Sequence, residues 1–129
     1  MPVPVGASAR RTLSVTPELA VDFLGLESAR VLGTPFLIYQ LEITARNAAL
    51  PHLEPGFDTV GTLVNIRHLA ATPLGMQVVF HAEVTDVEDR TVRFKVEAFD
   101  EKEKISEGIH ERVIVEVAKF GARVQRKLR

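Results

Sequence analysis

Apolar and polar positions repeat with two different periods along this chain, and the period changes near Pro51. Before that point, Thr34 to Leu50 reads as one long helix. Thr34 is a suitable N-cap, and Pro35 fits the first helical position, where the missing N–H would have had no partner. Pro51 ends the run, because proline lacks a donor and disfavours helical geometry in the residue before it. At about 100° per residue the apolar side chains fall on two faces. Leu37, Ile38, Leu41, Ala45, Ala48 and Ala49 form one, and Phe36, Tyr39, Ile43 and Leu50 form the other. A helix apolar on both sides is expected to be buried on both sides. Glu42 and Arg46 share the seam.

After Pro51 the period becomes two. Thr59 to Ala70 is rich in β-branched and apolar residues, with Gly61 marking a bulge or a place where a ligand meets the backbone. Thr72-Pro73-Leu74-Gly75 is a turn. In Gln77 to Val87, the residues Val78, Phe80, Ala82 and Val84 alternate with polar ones. Glu88-Asp89-Arg90 reads as a hairpin turn. Thr91 to Phe99 alternates again through Val92, Phe94, Val96 and Ala98. After a charged turn, Asp100 to Lys104, the last long strand runs from Ile105 to Val117, with a bulge expected at Gly108. Ahead of the helix, the pattern gives a loose arm (Met1 to Ala9), an edge strand (Arg10 to Val15) and a short helix (Pro17 to Leu24) closed by Gly25. Leu26 to Gly33 is either an ordinary loop or a lid over a pocket. Ala118 to Arg129 is a basic tail. The fold class expected is α+β: an antiparallel sheet wrapped around one long central helix. The sheet covers one helix face, and a two-fold homodimer is the expected cover for the other.

Composition narrows the function. The 129 residues are expected to form a single domain, residues 1–129, with 46% hydrophobic and 26% charged residues. A net charge of −1 gives no bulk attraction to nucleic acid or to a membrane surface. The absence of cysteine excludes disulfides and thiolate nucleophiles. The start of the chain lacks the apolar run of a signal peptide, so a cytoplasmic protein is expected. The four histidines are not at metal-ligand spacings, and no nucleophile elbow or phosphate-binding glycine loop is present.

The remaining candidates each carry two readings. Glu42 is either an i,i+4 ion pair with Arg46 or a nucleophile or general base in a dry site. His68 is either structural or a proton carrier. Thr34 caps the helix, and its hydroxyl could also face substrate. His52, His81 and His110 have no better claim from pattern. Arg10-Arg11 and the basic tail are solvated charge, or contacts for the phosphates of a ligand such as coenzyme A.

The order of elements resembles the hot-dog fold. Gly61-Thr62 followed by His68-Leu69-Ala70-Ala71-Thr72-Pro73-Leu74-Gly75 resembles the fluoroacetyl-CoA thioesterase-like family. Weaker likenesses are Gly108-Ile109-His110-Glu111-Arg112 and Lys119-Phe120-Gly121-Ala122-Arg123-Val124. The resemblance implies a hydrolase acting on a small acyl-CoA thioester, with Thr34, Glu42 and His68 as catalytic residues and Gly61 and Arg112 at the substrate. Coenzyme A would then be part of the substrate, with no separate cofactor and no metal. Fluoroacetyl-specific members carry phenylalanines in the lid ahead of the threonine, whereas Leu24 to Pro35 has no aromatic residue, so the acyl group is not carried over. The alternatives are a non-catalytic hot-dog protein that binds acyl-CoA or another small ligand, and an enzyme that hydrates an acyl-CoA. One geometric constraint stands out. Thr34 and Glu42 would lie about 12 Å apart on a straight helix. Either the chain bends, or Thr34 precedes the helix, or the site mixes two subunits.

Overall fold

The computed structural model describes residues 3–22 and 25–129. In chain order the elements are β1 (Ser8–Ser14), β2 (Ala20–Val21), β3 (Val31–Leu32), α1 (Thr34–Ala49), β4 (Phe57–His68), β5 (Gln77–Glu88), β6 (Thr91–Phe99), β7 (Lys104–Glu116) and α2 (Val117–Gln125). Five strands form one antiparallel sheet in the order β1-β5-β6-β7-β4, and β2 pairs with β3 apart from it. The α1 helix lies against the sheet, chiefly on β5 and β1. Among the described residues no helix is long and apolar enough to cross a membrane.

The alternation in the middle strands sets the core. Val78, Phe80, Ala82 and Val84 of β5, and Val92, Phe94, Val96 and Ala98 of β6, are all buried against the helix side. They meet Leu37, Leu41, Ala45, Ala48 and Ala49 of α1. Each such Leu, Val or Phe stabilises the fold by about 1.5–3 kcal/mol relative to an exposed position. The other helix face is open in a single chain: Tyr39 is 57% and Phe36 38% exposed. The expectation of a helix buried on both sides therefore holds for one side of the isolated chain. Two polar residues also lie on the buried face. Thr44 donates to the Gln40 carbonyl, and the Gln40 side chain accepts from Arg11.

Several local expectations change. The arm is not loose throughout, because Val3 is buried and Gly6 and Ala7 bond to the Val84 backbone before β1 begins at Ser8. Met1, Pro2, Phe23 and Leu24 lie outside the described residues, and with them the end of the helix expected over Pro17 to Leu24. The described part of that segment is a 3-10 turn, Pro17–Leu19, that runs into β2. Gly108 is not a bulge, since its pairing with Ile66 and Val96 is in continuous register. A β-carbon there would press on the Asn65 carbonyl oxygen and come within 2.7 Å of the Ile66 Cα. Glycine is needed because the β4 backbone passes so closely. The tail is helical, and α2 starts where the Val117 N–H bonds the Gly56 carbonyl.

Candidate functional site

The five candidate residues fall into two groups within one chain. Thr34 and His68 make the first. Thr34 opens α1 and His68 closes β4, and the Thr34 Oγ1 lies 2.7 Å from His68 Nδ1. The N-cap is Gly33 and not Thr34. A β-carbon on Gly33 would stand 3.0 Å from both the Phe36 ring and a Val21 methyl, so the crowded cap position takes glycine. That displacement releases the threonine hydroxyl from capping and turns it to the imidazole. His68 Nε2 is buried with no hydrogen-bond partner among the described residues. Burial pushes the His68 pKa below its usual 6.5, with a backbone contact at Ala70 opposing the shift.

This pair opens on a crevice of about 740 Å³, whose apolar lining includes Val21, Val31, Leu32, Phe36 and Leu69. The β2–β3 pair supplies one wall. It is anchored by the Val31–Pro73 bridge and by the Leu32 N–H on the Thr72 carbonyl. Arg30 stiffens it by donating to the Pro17 carbonyl at 3.1 Å. The end of the segment read as loop or lid, Val31 to Gly33, thus lines the crevice.

Glu42, Gly61 and Arg112 make the second group. Gly61 pairs with Arg112, and the next register pair is Leu63 with Glu111, so Thr62 is the extra residue of a β-bulge. The bulge reading of Gly61 therefore holds. A β-carbon on Gly61 would lie 3.6 Å from Glu42 Oε2, 3.5 Å from Arg112 Nη1 and 3.2 Å from His110 Cε1. The missing side chain leaves the space on which these three groups converge. Arg112 is 7% exposed. Its Nε donates to the Thr59 hydroxyl at 2.7 Å and its Nη2 to the Thr59 carbonyl at 2.9 Å. Burial lowers the Arg112 pKa, and the Glu42 and Asp58 carboxylates oppose that shift.

The i,i+4 ion pair between Glu42 and Arg46 is not formed. Arg46 grips Asp58 with two parallel hydrogen bonds of 2.9 and 2.6 Å. This geometry matches a planar fork to a carboxylate and holds the Asp58 pKa below its ordinary 3.8. Among the described residues no ion pair reaches Glu42. Its carboxylate is left facing the Gly61 gap.

His110 and Thr59 belong to the second group and were not singled out by sequence. His110 is fully buried, with Nδ1 2.8 Å from the Leu63 carbonyl and Nε2 3.2 Å from Arg112 Nη1. The signal was there in the period of β7: His110 and Arg112 are in phase with Ile114, and all three point inward. Thr34 and Glu42 both lie on the uninterrupted α1, eight residues and about 12 Å apart. Gly61 and His68 are seven residues apart on β4, on the order of 20 Å. The two groups are therefore separate in one chain. Among the described residues no cluster of histidine and carboxylate side chains could hold a metal ion.

A sequence profile for the fluoroacetyl-CoA-specific thioesterase family, FlK, matches residues 15–118. The chain is 35% identical over 125 residues to a fluoroacetyl-CoA thioesterase of Streptantibioticus cattleyicolor, across 97% of this chain and 86% of that one. A solved structure of the fluoroacetyl-CoA thioesterase FlK superposes with a TM-score of 0.86 at 35% identity, covering 96% of each chain. A hot-dog-like protein from Thermanaerovibrio acidaminovorans superposes with a TM-score of 0.87 at 27% identity, over 96% of this chain and 92% of that one. The sheet-around-helix architecture is thus the hot-dog fold expected from the order of elements.

Proposed function

From the premise that this chain belongs to the fluoroacetyl-CoA-specific thioesterase family, and is a thioester hydrolase, we propose that it hydrolyses a small acyl-CoA thioester with Thr34, Glu42 and His68 as its catalytic residues. The observation that carries this reading is the 2.7 Å contact of Thr34 with His68 at the edge of an apolar crevice, with His68 Nε2 buried and unpartnered beside it. When the Thr34 hydroxyl donates to Nδ1, the imidazole keeps its hydrogen on Nε2, ready for the departing thiolate.

Hydrolysis needs three things at the carbonyl: an attacking oxygen, a stabilised oxyanion and a protonated leaving group. Glu42 supplies the attack, either through a water that it deprotonates or directly, by forming a glutamyl anhydride that water then cleaves to the acid and the free carboxylate. The Gly61 N–H donates to the oxyanion, and Arg112 lies beside Glu42 and the substrate. The carbon–sulfur bond breaks, the proton lost by the attacking water reaches sulfur by way of His68, which ends neutral as it began, and the products are the free acid and coenzyme A as a thiol. Coenzyme A enters as part of the substrate, and no other cofactor takes part. The aliphatic lining supports a short apolar acyl group.

The separation of the two groups on α1 supports a site built across a two-fold homodimer, in which Thr34 and His68 face Glu42 of the partner subunit. Such a partner has an available edge. The β4 strand ends the sheet, and Leu63 and Val64 on it are 41% and 42% exposed. An unpaired apolar edge is a template for another chain.

The test is an acyl-CoA panel from acetyl to hexanoyl, read by free-thiol release. Wild type is expected to release thiol from at least one ester. Glu42→Gln and His68→Ala are expected to lower the rate by about 100-fold or more, with unchanged circular dichroism. Full activity in either variant, or saturable binding without thiol release in wild type, overturns the proposal.

A further inference from the structure

His110 makes two bonds that fix its protonation. The Leu63 carbonyl can only accept, so the Nδ1 at 2.8 Å carries the hydrogen. Nε2 is then a lone pair, and the Arg112 Nη1 at 3.2 Å donates to it. The ring is fully buried and stacks on Phe94 with centroids 6.1 Å apart, so it cannot swing. Both partners matter to the site. Leu63 closes the bulge that begins at Gly61. Arg112 and Glu42 approach the same point above Gly61, at 3.5 and 3.6 Å.

We infer that His110 is a positioning residue for thioester hydrolysis. Its Nδ1–H holds the Gly61–Leu63 bulge in the shape that aims the Gly61 N–H, and its Nε2 fixes the Arg112 guanidinium beside Glu42. His110 acts through Leu63 and Arg112, and only its Cε1 borders the space above Gly61, 3.2 Å from where a β-carbon would stand. A looser bulge moves an oxyanion donor, and a freed guanidinium moves the charge next to the attacking carboxylate. Displacements on the order of 1 Å in such groups cost rate more than binding. The inference rests on the assignment of Glu42 and Gly61 made above.

Three variants test it. His110→Leu removes both bonds while filling much of the space. His110→Asn keeps a donor near the Nδ1 position and loses the acceptor for Arg112. His110→Gln places its amide oxygen near the Nε2 position and loses the donor to Leu63. The expected result for His110→Leu is a fall in kcat of roughly 30-fold or more with KM within threefold. The Asn and Gln variants are each expected to recover part of that loss. The Nδ1–H tautomer is expected in long-range nitrogen NMR of the resting wild-type protein, a readout that does not use activity.

If His110→Leu fails to fold, the Asn and Gln variants and the tautomer decide. Wild-type kcat in a folded His110→Leu, equal losses in all three variants, a change confined to KM, or an Nε2–H tautomer would each overturn the inference. Glu42→Gln runs alongside. Activity in that variant defeats the site assignment itself, whereas an inactive Glu42→Gln beside a fully active His110→Leu defeats only the role of His110.

Discussion

At the scale of single residues, loss of hydration governs the two histidines of the site. Both His68 and His110 have pKa values below the ordinary 6.5, in each case chiefly because burial disfavours the imidazolium. The unfolded chain therefore takes up these protons first as pH falls. The folded state loses stability as pH drops from about 6.5, and these groups contribute no pH dependence well above that value. Asp58 and Asp100, held below 3.8, act in a lower window: the stability they add is present above that value and is lost as pH falls through their depressed pKa values. Melting temperatures are expected to be level from pH 8 to 7 and to decline between 6.5 and 5, with a shallower decline in His68→Gln. An identical decline in that variant would remove His68 from the effect.

Legibility at this scale was uneven for physical reasons. The Thr34–His68 contact joins residues 34 positions apart, and no local pattern can reveal such a pairing. It came into view through family resemblance alone. Glu42 was visible as a charge on an apolar helix, but the loss of its expected partner was not. Arg46 is one turn away, yet it turns to Asp58 across the fold. His110 was readable from the two-residue period of β7, and it was passed over because lone histidines in strands seldom stand out.

At the scale of elements, the strands bracketed by turn chemistry were read closely. The β6 strand has its expected bounds and β5 extends one residue past them, because Gly75 with φ +88° and Asp89 with φ +54° close the turns on either side. The threonine–proline start at Thr16-Pro17 was misleading, since the same signal suits a 3-10 turn. The tail hid a helix because its apolar positions Val117, Phe120 and Val124 make only two turns among many charges. Gly108 yields the element-scale prediction. Gly108→Ala sets a β-carbon 2.7 Å from the Ile66 Cα and 3.0 Å from its Cγ1. The β7 strand is paired on both sides and cannot yield, so the edge strand β4 must shift against its own bonds to β7. Overpacking of this kind costs about 1–3 kcal/mol. A chemical denaturation midpoint unchanged from wild type would show that the strands separate more easily than their pairing suggests.

At the scale of the whole molecule, the exposed apolar residues Phe36, Tyr39, Leu63 and Val64 lie on α1 and on the edge strand β4. The proposed homodimer would cover them, which would account for the second apolar face of α1 and bring the two groups of site residues together. Sedimentation is expected to give a dimer at micromolar concentration. Mixing gives a sharper test. The double variant Thr34→Ala/His68→Ala and the single variant Glu42→Gln are each expected to be inactive alone. After unfolding and refolding together, half of the dimers are mixed and each mixed dimer has one intact site. About a quarter of wild-type activity is then expected. No recovery, with mixed dimers demonstrated by a tag, would place each site within one chain.

The unbroken course of α1 has a consequence for what this lineage can change. On the proposed pairing, one helix serves two clefts, the threonine end in one and the carboxylate end in the other. Removing a single residue between Thr34 and Glu42 shortens that span by about 1.5 Å and rotates everything beyond it by about 100°. The carboxylate then turns out of its cleft, and the apolar stripe behind it loses the sheet in the same step. Insertions are therefore to be expected in the turns and at the ends of this chain, while the interval along the helix behaves as a ruler whose length two active sites must share.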